Sequence, residues 1–428
     1  MQLKHLSLIP KMAKHSIDTH LDKGKNSVFL FCLLVTVFTF GGIVLTLLIG
    51  NEGICRLFNL PAMPRSFADI ANLVWGAQSI AAGYDPLYLN PFDQFGREMN
   101  TSKFVQLLVT MFHFDHFSVE AVAYFVISIF LFSICVVFRY LDRWSAIFLA
   151  LALLSPPIVL GIERANHDLF VFALVALGLR FNQRARFFFA LAMVASFIKF
   201  FPVFGITYFL KYTWRKWLFT SLAFGGLFVA YLILNLQDLE QIFNSTDKSF
   251  AFSYGIRVFV FFVTGENADF VRIVAFIPWL AILFILSAQL FSSYGESGWH
   301  LLGDVRYIDA FRVGSGVYLG VFLLGNNWDY RLIYLLLTIP QLTDWAWYQR
   351  KWLARFTFGF LFLSLFIQLI APFGKIQFII DETSNWTLWG LLFVLMVRSV
   401  PENIYKGFRS WSAAKSSSEA IESSSSTS

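Results

Sequence analysis

Four clusters of ionisable residues stand out in a chain that otherwise avoids charge. They are Asp69, the run Glu163-Arg164-Ala165-Asn166-His167-Asp168, Lys199 in Lys199-Phe200-Phe201-Pro202, and Asn327-Trp328-Asp329-Tyr330-Arg331. Arg164, Lys199 and Arg331 are cations able to clamp a phosphate or another anion. Asp69, Glu163, Asp168 and Asp329 are candidate general bases, or partners that orient those cations. Trp75, Tyr84, Tyr88, Trp328 and Tyr330 offer flat faces for sugar rings. Together with a lipid-facing groove, these parts suit a sugar carried on a lipid phosphate. Each also has a plainer role. Asp69 can favour a helix N-terminus through the helix dipole, Glu163, Arg164 and Asp168 can form structural ion pairs, Lys199 can snorkel to an interface, and Asp329 can pair with Arg331. His113-Phe114-Asp115-His116 has the residue types of a metal site. It lacks Glu-x-x-His spacing and a further run of ligands, so it reads as an interfacial loop, and no metal or other cofactor is expected.

Composition decides where these clusters sit. Of 428 residues, 57% are hydrophobic and 14% charged, and Phe alone occurs 52 times. A soluble domain carries about 25% charge. A chain this apolar cannot cover its surface in water, which excludes a soluble enzyme, a coiled coil and a disordered protein. The net charge of +6 is small for the length and fits basic loops beside a membrane better than nucleic-acid binding. Cys32, Cys55 and Cys135 form neither a disulfide framework nor a metal quartet.

A bilayer core of about 30 Å needs about 20 apolar residues per helix. Apolar runs at 28–49, 117–138, 144–160, 168–181, 216–236, 270–291, 308–324, 332–348, 353–371 and 386–398 predict an all-α, polytopic bundle. The run 186–212 is broken by Lys199 and Pro202 and has basic residues at both ends. It is predicted as two short helices in a V, with Lys199 to Pro202 at the outer apex. The total is roughly 11 to 12 membrane helices, counting that pair. Residues 1–27 form a cytoplasmic N-terminal segment, 28–398 the membrane domain, and 399–428 a disordered, Ser-rich cytoplasmic tail. Most Lys and Arg residues, Arg306, Lys211 and Arg312 among them, then fall in cytoplasmic segments.

The first outer loop, 50–103, holds a predicted surface helix. Ile70, Leu73, Val74, Ala77 and Ile80 share one of its faces, Ser66 caps its start and Gly83 ends it. This topology puts all four ionisable clusters on the outer face. Asn100, Asn244 and Asn385 lie in glycosylation sequons on that side, matches that chance explains.

With these residues in place, 69-DIANLVWGAQSIAAGYDPLY-88 resembles the first-loop signature of glycosyltransferase family 87, whose members use polyprenol-phosphate sugars. There an Asp precedes a helix ending in Gly-x-(Asp/Asn)-Pro-x-Tyr, the Tyr being Tyr88 here. The segment 186-RFFFALAMVASFIKFFPVFGITYFLKYTWRKW-217 resembles a second hallmark, a small-residue helix reaching a Lys-x-x-Pro break. The Glu-Arg-x-Asn-x-Asp cluster and Asn-Asn-Trp-Asp-Tyr-Arg are similar to segments of some members. The resemblance covers roughly residues 28–236. It implies a GT-C fold in a bacterial inner membrane, both termini cytoplasmic, and a polyprenyl-phosphate-linked mannose or arabinofuranose donor. It also implies a glycolipid or cell-envelope glycan acceptor, inversion at the anomeric carbon, and Asp69 as the base. Lys199 matches the family lysine at the donor phosphate. Glu163, Arg164, Asn166, Asp168, Asn327, Asp329 and Arg331 are added as substrate-binding candidates. Many relatives carry a Gly-Gln-Asn-type segment where this chain has Glu163 to Asn166, a departure that bears on donor and acceptor choice. No nucleotide motif or DxD-type metal pair occurs, and nucleic acid is not an expected partner. The alternative reading is a transporter or flippase of lipid-linked sugars.

Overall fold

The fold was analysed in a computed structural model, which describes residues 31–33, 35–36, 41–42, 44, 47–138, 141–181, 185–245, 252–258, 305–324, 327–370, 374–401, 404 and 406–407. The predicted span 270–291, the N-terminal segment, half of the span 28–49 and nearly all of the Ser-rich tail lie outside the described residues.

Among those residues the chain is helical, with one two-residue strand pair. After helical residues 47–57 come α1 (Ala68–Ala81), α2 (Lys103–Met111), a 3₁₀ turn (Phe114–His116), α3 (Val119–Val137), α4 (Arg143–Leu153), α5 (Pro156–Glu163), α6 (Asp168–Arg180) and α7 (Ala185–Ile198). A 3₁₀ helix (Phe201–Lys211), α8 (Trp214–Leu234) and α9 (Leu236–Ser245) follow. Then come β1 (Ser253–Tyr254), α10 (Val305–Leu324), β2 (Asn327–Trp328), a second 3₁₀ helix (Asp329–Leu337), α11 (Ile339–Thr343), a π-helical turn (Asp344–Tyr348), α12 (Trp352–Ile370) and α13 (Lys375–Arg398).

Among the described residues, four helices are long and apolar enough to cross a membrane: Val119–Val137, Trp214–Leu234, Tyr307–Leu324 and Trp352–Leu369. The pair α4 and α5 makes a fifth if counted as one span, bent by 57° at Leu154-Ser155. The bend is local chemistry. Asp142 caps α4 by accepting from Trp144 N and Ser145 N, and Pro156-Pro157 opens α5, where a missing N–H costs nothing.

Several expectations are corrected. The run 332–348 is no single α-helix but a sequence of 3₁₀, α and π turns. The run 386–398 is the second half of the 24-residue α13, whose first half carries Asp381 and Glu382. The helix α1 does not expose a polar face. Asn72 and Ser79 are buried along with Ile70, Leu73, Val74 and Ala77, so it is packed into the protein. Ser66 does not cap it, because Phe67 occupies the cap position in the left-handed region at φ 62. Gly83, at φ 88, does end it. Arg312, expected on a basic loop, is buried and pairs with Asp309. Asn385 is 1% exposed, so its sequon cannot accept a glycan in this fold.

The break at Lys199 is as expected: α7 stops at Ile198 and a 3₁₀ helix begins at Phe201. That 3₁₀ helix lies against α10 because α10 carries glycine there. A Cβ on Gly316 would sit 2.4 Å from Thr207 Oγ1, and one on Gly320 would sit 2.1 Å from the Phe204 ring. Close approach through small residues is how helices associate where lipid removes the hydrophobic drive. The core runs through α3, α6 and α7 and continues through α10, α12 and α13.

Candidate functional site

The site begins with two helix ends that complete each other. The first N–H groups of a helix and its last carbonyls have no partner inside the helix. Here Phe67 N and Asp69 N, at the start of α1, donate to the carbonyls of Glu163 (2.9 Å) and Arg164 (3.2 Å), at the end of α5. The α5 end turns sharply: Ala165 N donates to Ile162 O, Asn166 N to Gly161 O, and Ala165 takes φ 45. This is a Schellman turn with alanine where glycine is preferred, a strained residue of the kind that gathers at functional sites.

The turn aims its side chains at Asp69. Asn166 Nδ2 donates to Asp69 Oδ2 at 2.6 Å, while Asn166 Oδ1 accepts from Asp168 N at 2.8 Å. Asp168, almost fully buried, faces Lys199 Nζ at 3.8 Å and Arg331 Nε at 3.4 Å. Arg331 also donates through Nη1 to Asn327 Oδ1 at 2.6 Å, and its guanidinium lies 5.1 Å from the Phe201 ring centre. Arg164 lies over the Trp328 ring at 5.1 Å, and Trp328 stacks on Tyr330. Glu163 turns the other way, accepting from Asn51 Nδ2.

These groups border a cavity of about 930 Å³. Asp69, Arg164, Asn166, Lys199, Asn327 and Arg331 line it, with Trp328 and Tyr330. Apolar side chains, Phe200, Phe204, Phe228, Leu232, Leu239 and Ile242 among them, also line it. Among the described residues, both ring nitrogens of His167 and Nε of Arg164, two residues that line the cavity, have no hydrogen-bond partner. Such groups cost free energy unless something pairs with them. Burial, with Lys199 and Arg331 alongside, holds the His167 imidazole well below its ordinary pKa, so it is neutral. Burial also lowers the Lys199 ammonium from its usual value, against the pull of Asp168.

Asp69 and Lys199 therefore meet at the cavity, and each of the two longer clusters is split between residues that line it and residues that do not. Asp329 points away from the cavity. Its Oδ2 accepts from Gln368 Nε2 at 2.5 Å, and burial together with the charges of Asp381 and Glu382 raises its carboxyl well above the usual range. Tyr88 is exposed and does not line the cavity, nor does Tyr84, and Trp75 is packed in the core. Glu163 and Asp168 stand behind the lining.

Sequence reasoning missed Arg97, Glu98, Asn72 and Arg257, all of which line the cavity. Arg97 reaches Asp69 Oδ1 at 3.9 Å and bonds Asp93 and Ala68 O. Asp93 in turn accepts from Asn72 and from the backbone of Phe95, so the loop folds back over α1. Arg257 follows β1, which pairs antiparallel with β2 through Ser253–Trp328 and Tyr254–Asn327. The Asp93/Arg97 spacing was the only signal that could have revealed part of this.

No protein-family model, no curated protein and no solved structure matches this chain.

Proposed function

We propose that the chain is an integral-membrane glycosyltransferase of the GT-C type, resembling family 87. It moves a sugar from a polyprenyl phosphate to a glycolipid or cell-envelope glycan hydroxyl at the extracytoplasmic face. The observation that carries this reading is the mixed lining of the cavity. Asp69, Lys199, Arg164 and Arg331 line it together with apolar side chains, His167 nitrogens and Arg164 Nε are unsatisfied among the described residues, and the volume is that of a ligand site. An amphiphile with an anionic head and a long hydrocarbon chain suits both kinds of lining.

In this mechanism Asp69 takes the proton from the acceptor hydroxyl, whose oxygen bonds to the anomeric carbon from the face opposite the phosphate. The bond from that carbon to the phosphate oxygen breaks, and polyprenyl phosphate leaves with the electron pair. Lys199, Arg331 and Arg164 hold the charge that grows on the phosphate. Asn166, bonded to Asp69 Oδ2, fixes the carboxylate, whose Oδ1 faces Arg97 at 3.9 Å beside the cavity.

The test is transfer of radiolabelled mannose or arabinofuranose from polyprenyl-phosphate donors to membrane-lipid acceptors in proteoliposomes. Asp69→Asn should lower the rate by roughly 10²- to 10⁴-fold, as loss of a general base does, while donor binding survives. Equal transfer by wild type and variant would remove Asp69 from the mechanism. No transfer with any donor, accompanied by movement of the lipid-linked sugar across the bilayer, would replace the enzyme reading with a transporter.

A further inference from the structure

The 3₁₀ turn Phe114–His116 lies far in character from the cavity, yet it packs against α1 and α2. In the sequence its residues looked like a metal motif without the right spacing. The fold supplies the spacing. A 3₁₀ helix has three residues per turn, so side chains at i and i+3 eclipse. His113 and His116 accordingly stack, with ring centres 5.7 Å apart and planes 17° apart. Asp115 Oδ2 lies 3.5 Å from His116 Nδ1.

We propose that His113, Asp115 and His116 bind a divalent transition-metal ion of the zinc type. One ligand atom from each residue lies within 4.8 Å of the other two. Zinc bonds to imidazole nitrogen and carboxylate oxygen are about 2.0–2.2 Å, so ligand atoms around a tetrahedral ion sit roughly 3.3 Å apart. Side-chain rotation alone closes that difference, because the backbone is already fixed. His113 N donates to Thr110 O, His116 N to His113 O and Phe117 N to Phe114 O, at 3.0–3.2 Å. Cα of His113 is held in the left-handed region at φ 51, a conformation that histidine enters more readily than most residues. Two imidazoles with one carboxylate select zinc, nickel, copper or cobalt over magnesium or calcium, which prefer oxygen throughout. Both histidines are exposed, so an ion reaches them directly, and three protein ligands leave a position for water. The ion would lock the turn that joins α2 to α3, which packs against α1. It would thereby brace the loop that holds α1.

The experiment uses the full-length protein in detergent, its affinity tag removed and adventitious metal stripped with a chelator. Zinc chloride is titrated by calorimetry into wild type, Asp115→Asn and the double variant His113→Ala/His116→Ala. In parallel, cobalt is added and its visible absorption recorded. One zinc per chain is expected for wild type, weaker uptake for Asp115→Asn, and loss of the binding isotherm and cobalt spectrum in the double variant. Zinc should also raise the melting temperature of wild type and leave that of the double variant unmoved. The exposed positions let the double variant fold, and its metal-free melting curve checks this. Equal zinc uptake by wild type and double variant, or none by wild type, overturns the site.

Discussion

Two buried aspartates in this protein each hold one lysine and one arginine, yet their surroundings differ. Asp168 faces Lys199 at 3.8 Å and Arg331 at 3.4 Å, and Asp309 faces Lys211 at 3.3 Å and Arg312 at 3.5 Å. Around Asp309 the remaining valences are used inside the protein. Lys211 lies 3.7 Å from the Tyr208 ring centre, and Arg312 donates to the hydroxyl and carbonyl of Ser399. Lys199 and Arg331, which face Asp168, border a large cavity, beside His167 and Arg164 nitrogens that no described residue satisfies. The Asp309 cluster ties elements together; the Asp168 cluster, beside a cavity with unsatisfied buried nitrogens, is suited to a ligand.

The largest contrast expected is in rate. Lys199→Met should slow sugar transfer by about 10²- to 10³-fold, the loss that follows removal of one charge-stabilising donor. Lys211→Met should leave the rate per folded molecule within about twofold, since uncoupled sites contribute little to the chemistry. Radiolabel transfer normalised to monodisperse protein decides this, and equal losses in both variants would dissolve the distinction.

Stability should show the reverse order. Asp309→Asn removes the carboxylate that faces buried Arg312 and half-buried Lys211 and should cost up to about 3–5 kcal/mol. Asp168→Asn should cost less, because Lys199 and Arg331 open onto the cavity and water can reach them. Thermal melting of the purified variants gives the comparison.

The cavity side should also carry an acid sensitivity. His167 has a folded-state pKa below its ordinary 6.5, so the unfolded chain takes up a proton that the folded chain refuses. Its contribution is intact above about pH 6.5 and is lost as pH falls from there toward the folded value, with a slope of at most about 1.4 kcal/mol per pH unit. Burial is the main cause, and the charges of Lys199 and Arg331 add to it. In His167→Asn this part of the slope should vanish from melting curves recorded between pH 7 and pH 5.

The smallest effect belongs to Asp329, a carboxyl raised by burial and by Asp381 and Glu382. Its protonated form suits the fold, so its contribution is full below its ordinary 3.8 and is lost as pH rises. Asp329→Asn keeps an acceptor for Gln368 and imitates the protonated form. It should raise the melting temperature slightly at pH 7, by an amount that shrinks as pH falls toward 4. A lower melting temperature at pH 7 would mean that the anion itself is wanted there.

How much of this was legible in the sequence follows from what sequence patterns encode. Long apolar runs announce helices such as Val119–Val137 because burial in lipid demands that every residue be apolar. The break after Ile198 was legible because Pro202 cannot continue a helix. The union of Asp69 with the Glu163 to Asp168 turn was legible only as shared sidedness. Its physical cause, helix-end donors meeting helix-end carbonyls, is a backbone match that no side-chain pattern records. Asp329 was misassigned for a related reason. It stands two residues from Arg331, and a 3₁₀ helix turns by a third of a circle per residue, so the two point to different neighbours. The histidine pair shows the same rule in reverse: at i and i+3, one 3₁₀ turn brings together what a linear reading had kept apart.

The docking of α1 on the turn after α5 also orders the birth of the site. Asp69 leaves the ribosome long before Asn166, which lies 97 positions later in the chain, and Arg331 lies 163 positions after the Asp168 it meets. Contacts so distant in sequence form late. The nascent first loop therefore carries its acid, with Arg97 nearby, before Asn166, Lys199 and Arg331 exist. In the proposed mechanism no lipid-linked sugar can be cleaved until α10 and the segment after it have joined the membrane domain. Chain order thus acts as a safety catch on the chemistry.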